Sequence, residues 1–439
     1  MSDPLLLNLP DVAPPSDSTD TEPPKPEPRY EVPNRAQVEL YPCDLEALLP
    51  PWHAARLVWR FVEGLNLKAF YDAIRAREGH PGRTPIDPRI LIALWLYATI
   101  DGVGSAREVD RLCQQHDAYR WIRGGVSVNY HTLSDFRVAH QTALNDLLTQ
   151  SIAALIKRSV ITLTRVAQDG TRVRANAGLR SFRRKPTLEE ALRVARQQVE
   201  RTARQDDGAA LSRQAAAQAR AAAEHVARVE QALAEMPAVE AAKERNHSKA
   251  TPRVSTTDPE ARKMKMTDGG YRPAYNVQFA TDVDSRAIVG VAVTNIGSDQ
   301  AEFLPMLDQV RERTGRAPTD VLVDGGFVMR EGITAATAQG VTVYAPVRKP
   351  KTDRDPAAAC RGDSPAVVAW RTRMATAEAK AIYKARAATA EWVNADTRTH
   401  RTLGPLLVRG LGKVHTWVLW IALAHNMMRT MGIVPHRMM

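Results

Sequence analysis

Cysteine is scarce in this 439-residue chain: Cys43, Cys113 and Cys360 lie far apart, in no CxxC or Cys/His spacing. That placement argues against a disulfide framework and a zinc site, and it fits a reducing compartment. Long apolar runs are missing as well. The strongest uncharged ones, at 90–100 and 414–428, are too short to cross a bilayer, so no membrane partner is expected. No basic stretch followed by an apolar core opens the chain, so no signal peptide is expected and the cytoplasm is the expected location. No glycine-rich phosphate loop is present, so no nucleotide cofactor is expected. The eight tryptophans show no spacing that suggests base stacking.

What the chain has is positive charge, unevenly spread. The formal net charge is +11, yet the first 31 residues carry seven acids against Lys25 and Arg29, leaving the body at about +16. A basic body with an acidic tail fits a polyanionic partner such as nucleic acid; solubilising charge is the bland alternative. Residues 1–34 hold nine prolines among Ser, Thr, Asp and Glu, a composition that buries too little apolar surface to order itself.

The period of the apolar residues divides the rest. Residues 35–157 read as helical. Asp87-Pro88 pairs an N-cap with proline at the first helical position, and Ser105 followed by Glu108 has capping-box spacing. Helices over 106–115 and 132–153 would form a helix–turn–helix offering Asn129, His131, Thr132 and Arg137 to a DNA groove. An ordinary helical bundle explains the same pattern equally well. From Val160 the period becomes that of strands: 160–169 and 171–175 as one strand or a hairpin, a hairpin over 275–294, and further strands at 320–324 and 341–347. Amphipathic helices are expected between them, and one over 365–390 brings in Glu391. An Ala/Arg-rich stretch at 186–245 reads as two antiparallel helices turning at Gly208. The expected fold is α+β and multi-domain: a helical N-terminal region, then a mixed sheet with helices on its faces over 158–431, interrupted by that helical hairpin.

Three acids stand out. Asp169 and Asp324 each precede glycine where a short apolar run ends, so both are expected at strand ends; Glu391 lies on an Arg/Ala-rich helical run. Two such aspartates and a glutamate are the carboxylate set that holds two divalent metals beside a phosphodiester. Each acid alone also has an ordinary explanation, a turn or cap for the aspartates and a solvated helix face for the glutamate. Asp282 and Asp284 read as turn residues, His425-Asn426 as a helix-packing pair, and Arg361-Gly362-Asp363 as a loop coincidence.

The segments TRVAQDGTRVRANAG, TTDPEARKMKMTDGGYRPAYNVQFATDVDSRAIVGVAVTN, VLVDGGF, YKARAATAEWVNADTR and LVRGLGKVHTWVLWIALAHN, with HTLSDFR before them, resemble the DDE-group transposases of bacterial insertion sequences. The resemblance covers most of 35–431 and implies an RNase H-like catalytic core. It places the catalytic, metal-holding acids on Asp169, Asp324 and Glu391, and the Tyr and Arg that accompany the glutamate on Tyr383 and Arg386. The basic residue beyond the glutamate falls on Arg398, where the family commonly has lysine. Asn394-Ala395 stands where the family usually has Phe-Gly, and Thr416 where it often has a second glutamate. The implied cofactor is a pair of Mg²⁺ ions, with Mn²⁺ as a substitute. The implied partner is duplex DNA, both terminal inverted repeats and target, bound by a homodimer. Tyr383, Arg386, Arg398, Arg409 and Lys413 are the expected DNA contacts near the site. A stand-alone metal-dependent nuclease, and a relative that binds DNA without cutting it, remain alternatives.

Overall fold

The computed structural model describes residues 44–76, 84–204, 213–348 and 355–431. The proline-rich tail, Cys43 and the expected turn at Gly208 lie outside the described residues.

Seven helices precede the first strand: α1 (Ala54–Glu63), α2 (Lys68–Asp72), α3 (Pro88–Ile100), α4 (Ala106–Gln115), α5 (Asp117–Arg123), α6 (Tyr130–Ala139) and α7 (Gln141–Lys157). Asp87 caps α3 by accepting from the Arg89 N–H at 2.9 Å, and Ser105 caps α4 by accepting from the Glu108 N–H at 3.4 Å. Both start signals in the sequence are therefore used. α3 is apolar on every side, and all of it except Arg89 is buried, as such a helix requires. The expected helix–turn–helix does not form as drawn. α5 intervenes between α4 and α6, closed by Gly124 at φ +56°, and the run expected as one helix over 132–153 breaks at His140.

The strand region opens with β1 (Arg165–Arg174), a single ten-residue strand. After the short β2 (Phe182–Arg183) come α8 (Lys185–Arg204), α9 (Arg213–Ala234) and α10 (Met236–Arg245); β3 (Val254–Ser255) then pairs back with β2. Leu188, Val229, Ala232, Met236, Val239 and Val254 form a small apolar core of their own beneath these helices.

β4 (Arg262–Lys265), β5 (Tyr271–Asp282) and β6 (Ile288–Thr294) follow, then α11 (Phe303–Thr314), β7 (Asp320–Leu322), α12 (Arg330–Ala338) and β8 (Thr342–Tyr344). The main sheet runs β4-β5-β1-β7-β8, with β6 continuing the β4 edge of β5. β1 is antiparallel to β5 but parallel to β7, and β7 is parallel to β8. The outer edge of β6 is closed by two amide side chains. Asn426 exchanges both hydrogen bonds with the Ile288 backbone (2.7 and 2.8 Å), and Gln309 does so with Val291 (2.7 and 2.9 Å). At these two residues the edge has no backbone groups left to offer another chain.

The chain finishes with α13 (Pro365–Ala375), α14 (Ala377–Arg386), α15 (Trp392–His400) and α16 (Leu411–Met431). One helix was expected over 365–390, but the Thr376 hydroxyl accepts from the Ala379 N–H at 3.1 Å and starts a second helix there. α16 ties the two halves together: Trp417 packs edge-on against Trp95 of α3 at 5.7 Å, and the Trp420 indole donates to the Arg137 carbonyl at 3.0 Å. One apolar cluster thus runs from the N-terminal helices into the sheet. Among the described residues no helix is long and apolar enough to cross a membrane.

Candidate active site

Asp169 sits in the interior of β1, opposite Phe279 of β5, and not at a strand end as expected. It is nevertheless at an end with respect to its other neighbour. β7 pairs in parallel with β1 only from Arg165↔Asp320 to Ala167↔Leu322. Two further residues along each chain are Asp169 and Asp324, so the parallel register aims both acids to the same side just past the last rung. Asp324 turns there, its Oδ1 accepting from the Gly326 N–H at 2.6 Å.

Glu391 arrives from a different layer. Between α14 and α15 the helix widens into a π turn, Ala387–Glu391, which packs against β1 and β5. Such turns recur where a helix must aim side chains at a site. Here Arg386, the last residue of α14, reaches both acids: its Nη2 donates to Glu391 Oε1 at 2.9 Å and its Nη1 lies 3.5 Å from Asp169 Oδ1. The Asp169 and Arg386 side chains are largely buried, whereas Glu391 keeps 56% of its side-chain surface exposed. Burial works against the Arg386 charge, but Tyr383, Asp169 and Glu391 outweigh it and hold the guanidinium above its ordinary pKa.

The other Asp169 oxygen accepts from the Asn394 amide at 3.0 Å. Burial pushes the Asp169 carboxyl up to about 6; Arg386 opposes the rise, and the charges of Asp324 and Asp299 add to it. Tyr383, half-buried one turn before Arg386, is raised as well, by burial first. Asp299 is the acid that the sequence did not single out. Its Oδ1 accepts from Asn276 at 2.7 Å and Gln278 at 2.6 Å on β5. A Cβ on Gly170 would come within 2.4 Å of that oxygen, so the glycine is what lets Asp299 approach the strand beside Asp169. Nothing local marks Asp299; it lies 130 residues away along the chain, and only the β1–β5–β6 register brings it in.

The remaining expected contacts divide. Arg398 is exposed on α15 at a cleft of about 520 Å³ shared with the 100–105 turn and the 400–408 segment. Arg409 and Lys413 are exposed at another cleft, where the Arg409 Nε donates to the Asn176 carbonyl at 3.1 Å. Asn129 is the N-cap of α6, accepting from the Thr132 N–H at 3.0 Å, and the Thr132 hydroxyl leans on the same oxygen. His131 is exposed and stacks on Tyr130, with centroids 4.0 Å apart. Arg137 corrects the expectation that it faces a groove. It is 6% exposed, lies over the rings of Trp95 and Trp417, and donates to the Gly104 carbonyl at 2.5 Å. Thr416 is buried and spends its hydroxyl on the Gly412 carbonyl of its own helix.

The chain matches two family models, one described as a transposase domain over residues 43–139 and one described as a transposase DDE domain over 363–431. The second match contains Glu391, Arg386 and Asn394; Asp169 and Asp324 lie between the two. No curated protein and no solved structure matches the chain significantly. A transposase domain over its N-terminal helices and a DDE domain toward its other end together support an insertion-sequence transposase of the DDE group.

Proposed function

We propose that this chain cuts and rejoins DNA at the terminal inverted repeats of its insertion sequence, with Asp169, Asp324 and Glu391 as the catalytic acids on an RNase H-like core over residues 158–431. The observation that carries this reading is the β1–β7 register, which puts Asp169 and Asp324 side by side, with Arg386 linking Asp169 to Glu391. The helical region 35–157 would recognise DNA ends or pair subunits, and two ends held together call for a dimer on DNA. The helices over 186–245 are read as an insertion into the catalytic domain. The work would be done in the cytoplasm, on the nucleoid.

The donor set fits a hard divalent cation, since all three groups are carboxylates. One neighbour fits too: Asn394 Oδ1 is a buried oxygen beside Asp169 without a hydrogen-bond partner, whereas Arg386 Nη1, 3.5 Å from Asp169 Oδ1, occupies the side a cation would take. Among the described residues no group of three or more such side chains is already drawn around one point. Arg386 supplies the positive charge between the acids instead. Two Mg²⁺ or Mn²⁺ ions held by Asp169, Asp324 and Glu391 would neutralise the phosphodiester and lower the pKa of an attacking water or 3′-hydroxyl. The chain's own part is to hold Asp169 ionised at neutral pH, through the Asn394 amide and the Arg386 guanidinium. With cations at the acids, Arg386 Nη1, which lies 3.5 Å from Asp169 Oδ1 and makes no hydrogen bond, would be the donor left for a non-bridging phosphate oxygen. Tyr383, with its ring centroid 5.8 Å from the Arg386 carbon, walls that guanidinium on one side.

The test is cleavage of labelled duplex carrying the flanking inverted repeats, with Mg²⁺ or with EDTA, by wild type and Asp324→Ala. Mg²⁺-dependent nicking at the repeat tips, lost in the variant while DNA binding persists, is the expected result. Cutting that survives the substitution would remove Asp324 from the site. Binding without any cutting by wild type would make the chain a DNA-binding relative only.

A further inference from the structure

A run of uncompensated positive charge lies not at the acids but in a groove lined by no carboxylate. α10 ends in Lys243 and Arg245, Arg253 precedes β3, and β4 turns Lys263 and Lys265 outward because its Met264 is buried. The groove between these elements and the 295–301 turn has a volume of about 1150 Å³. It is lined by Lys243, Arg245, Arg253, Arg262 and Lys263, and no carboxylate lines it. Arg262 is neutralised by Glu235. Among the described residues the other four make no ion pair. Burial, then the charges of Arg253 and Lys243, hold the Lys263 ammonium below its ordinary pKa, as expected of cations gathered without an anion.

The groove also exposes apolar surface. Tyr271 is 62% exposed, Ile296 50% and Met329 41%, all on its rim. It opens toward the acids as well. Gln300 and Met329 line both this groove and a smaller cleft of about 200 Å³ that reaches Gly325, the neighbour of Asp324, and carries the exposed Arg348. Unpaired cations strung along a channel with an aromatic side chain on its edge are the footprint of a nucleic-acid backbone.

We infer that the groove between α10, β3 and β4 is a phosphate-backbone site for duplex DNA running into the active site, so that the foot of the 186–245 helices binds DNA directly. The inference rests on the DNA-acting reading above but uses none of its acids. Phosphate contacts are blind to sequence, so transposon-end and target DNA share this chemistry.

The test uses the full-length chain and a fluorescent duplex of arbitrary sequence, titrated over a range of salt. One variant carries Lys243→Gln, Arg253→Gln and Lys263→Gln. A second, with the same change of charge, carries Arg111→Gln, Arg193→Gln and Arg311→Gln, exposed cations already paired with acids on their own helices. Each neutralised phosphate contributes about 0.9 to the slope of log K against log salt, so the groove variant should lose about 2–3 from that slope. The same loss makes its binding on the order of a hundredfold weaker at ~0.1 M salt. The paired-cation variant should bind nearly as wild type, and Lys243→Arg with Lys263→Arg should bind fully. Equal losses in both triple variants would reduce the effect to bulk charge and overturn the groove. Undiminished binding by the groove variant would overturn it too, leaving the catalytic reading intact. Failure of wild type to bind duplex at all would remove the DNA-acting reading and the groove with it. A repeat-bearing duplex run in parallel separates the two sources: a larger loss on it assigns the groove to transposon ends, and an equal loss assigns it to any duplex.

Discussion

The Asn394 side-chain amide donates to Asp169 Oδ2 at 3.0 Å, while Arg386 faces the other oxygen. Asn394 stands where the resemblance leads one to expect an aromatic ring, so a donor replaces a group that has none. Asn394, in the first turn of α15 beyond the π turn, therefore acts on the first acid directly. A hydrogen bond to an ionised group is worth about 1.5–3 kcal/mol. Asn394→Ala should raise the Asp169 pKa further and move the acid limb of the pH–cleavage profile to higher pH, slowing cleavage at neutral pH on the order of tenfold. An unmoved limb would show that the contact does not hold Asp169 ionised.

Asp169 should cost the fold stability. Its pKa in the folded chain, about 6, lies above its ordinary 3.8, so the folded state keeps the proton through that window. Stability then falls as pH rises from about 4 to 6, and the loss is complete above, amounting to at most about 3 kcal/mol at 1.36 kcal/mol per unit. Asp169→Asn should melt several degrees above wild type at neutral pH and nearly with it below pH ~4. Thermal melts across that range, without metal, would measure it. A variant less stable at neutral pH would contradict the sign.

Arg386 and a cation compete for the same oxygens. Thermal melts of wild type should rise with Mg²⁺, because the ion binds the folded state only, and this rise should be lost in Asp324→Ala. Arg386→Gln removes the competitor and should tighten Mg²⁺ on the order of tenfold, about 1.4 kcal/mol. Cleavage should nonetheless slow, since the phosphate loses its guanidinium. Weaker Mg²⁺ binding in that variant would mean that Arg386 orders the acids instead of occupying their place.

Gly170 is a packing requirement of the site. A methyl there would meet Gln278 Nε2 at 2.3 Å and Asp299 Oδ1 at 2.4 Å, both held in hydrogen bonds on a buried face. Gly170→Ala should destabilise by about 1–3 kcal/mol and lower cleavage by displacing β1 beside Asp169. Gly178→Ala, with nothing within 4 Å of the added methyl, should be silent in both denaturant melts and cleavage assays. Equal effects at the two positions would mean that the crowding around Gly170 is relieved without cost.

Much of this protein was determined locally. The caps at Asp87 and Ser105, the wholly apolar α3, and the β5–β6 hairpin around Asp282 and Ser285 were all legible, because caps, periodicity and turns depend on residues within a few positions of one another. The breaks at Thr376 and His140 were missed, since their flanks keep a helical period and only the cap geometry ends the turn.

Tertiary structure decided the rest. Asp169 and Asp324 come to the same end of neighbouring strands because β1 and β7, some 150 residues apart, pair in parallel over three rungs, and no local pattern specifies which strands pair or in what register. The same holds for Asp299 beside Gly170 and for Asn394 on Asp169. Arg137 shows the converse. An arginine near a helix end reads as a surface charge, yet α16 closes over it with Trp417, and burial under a distant helix takes it out of reach of DNA. Residue type, spacing and resemblance singled out the acids as candidates; which charges face one another, and which face solvent, was settled by long-range packing.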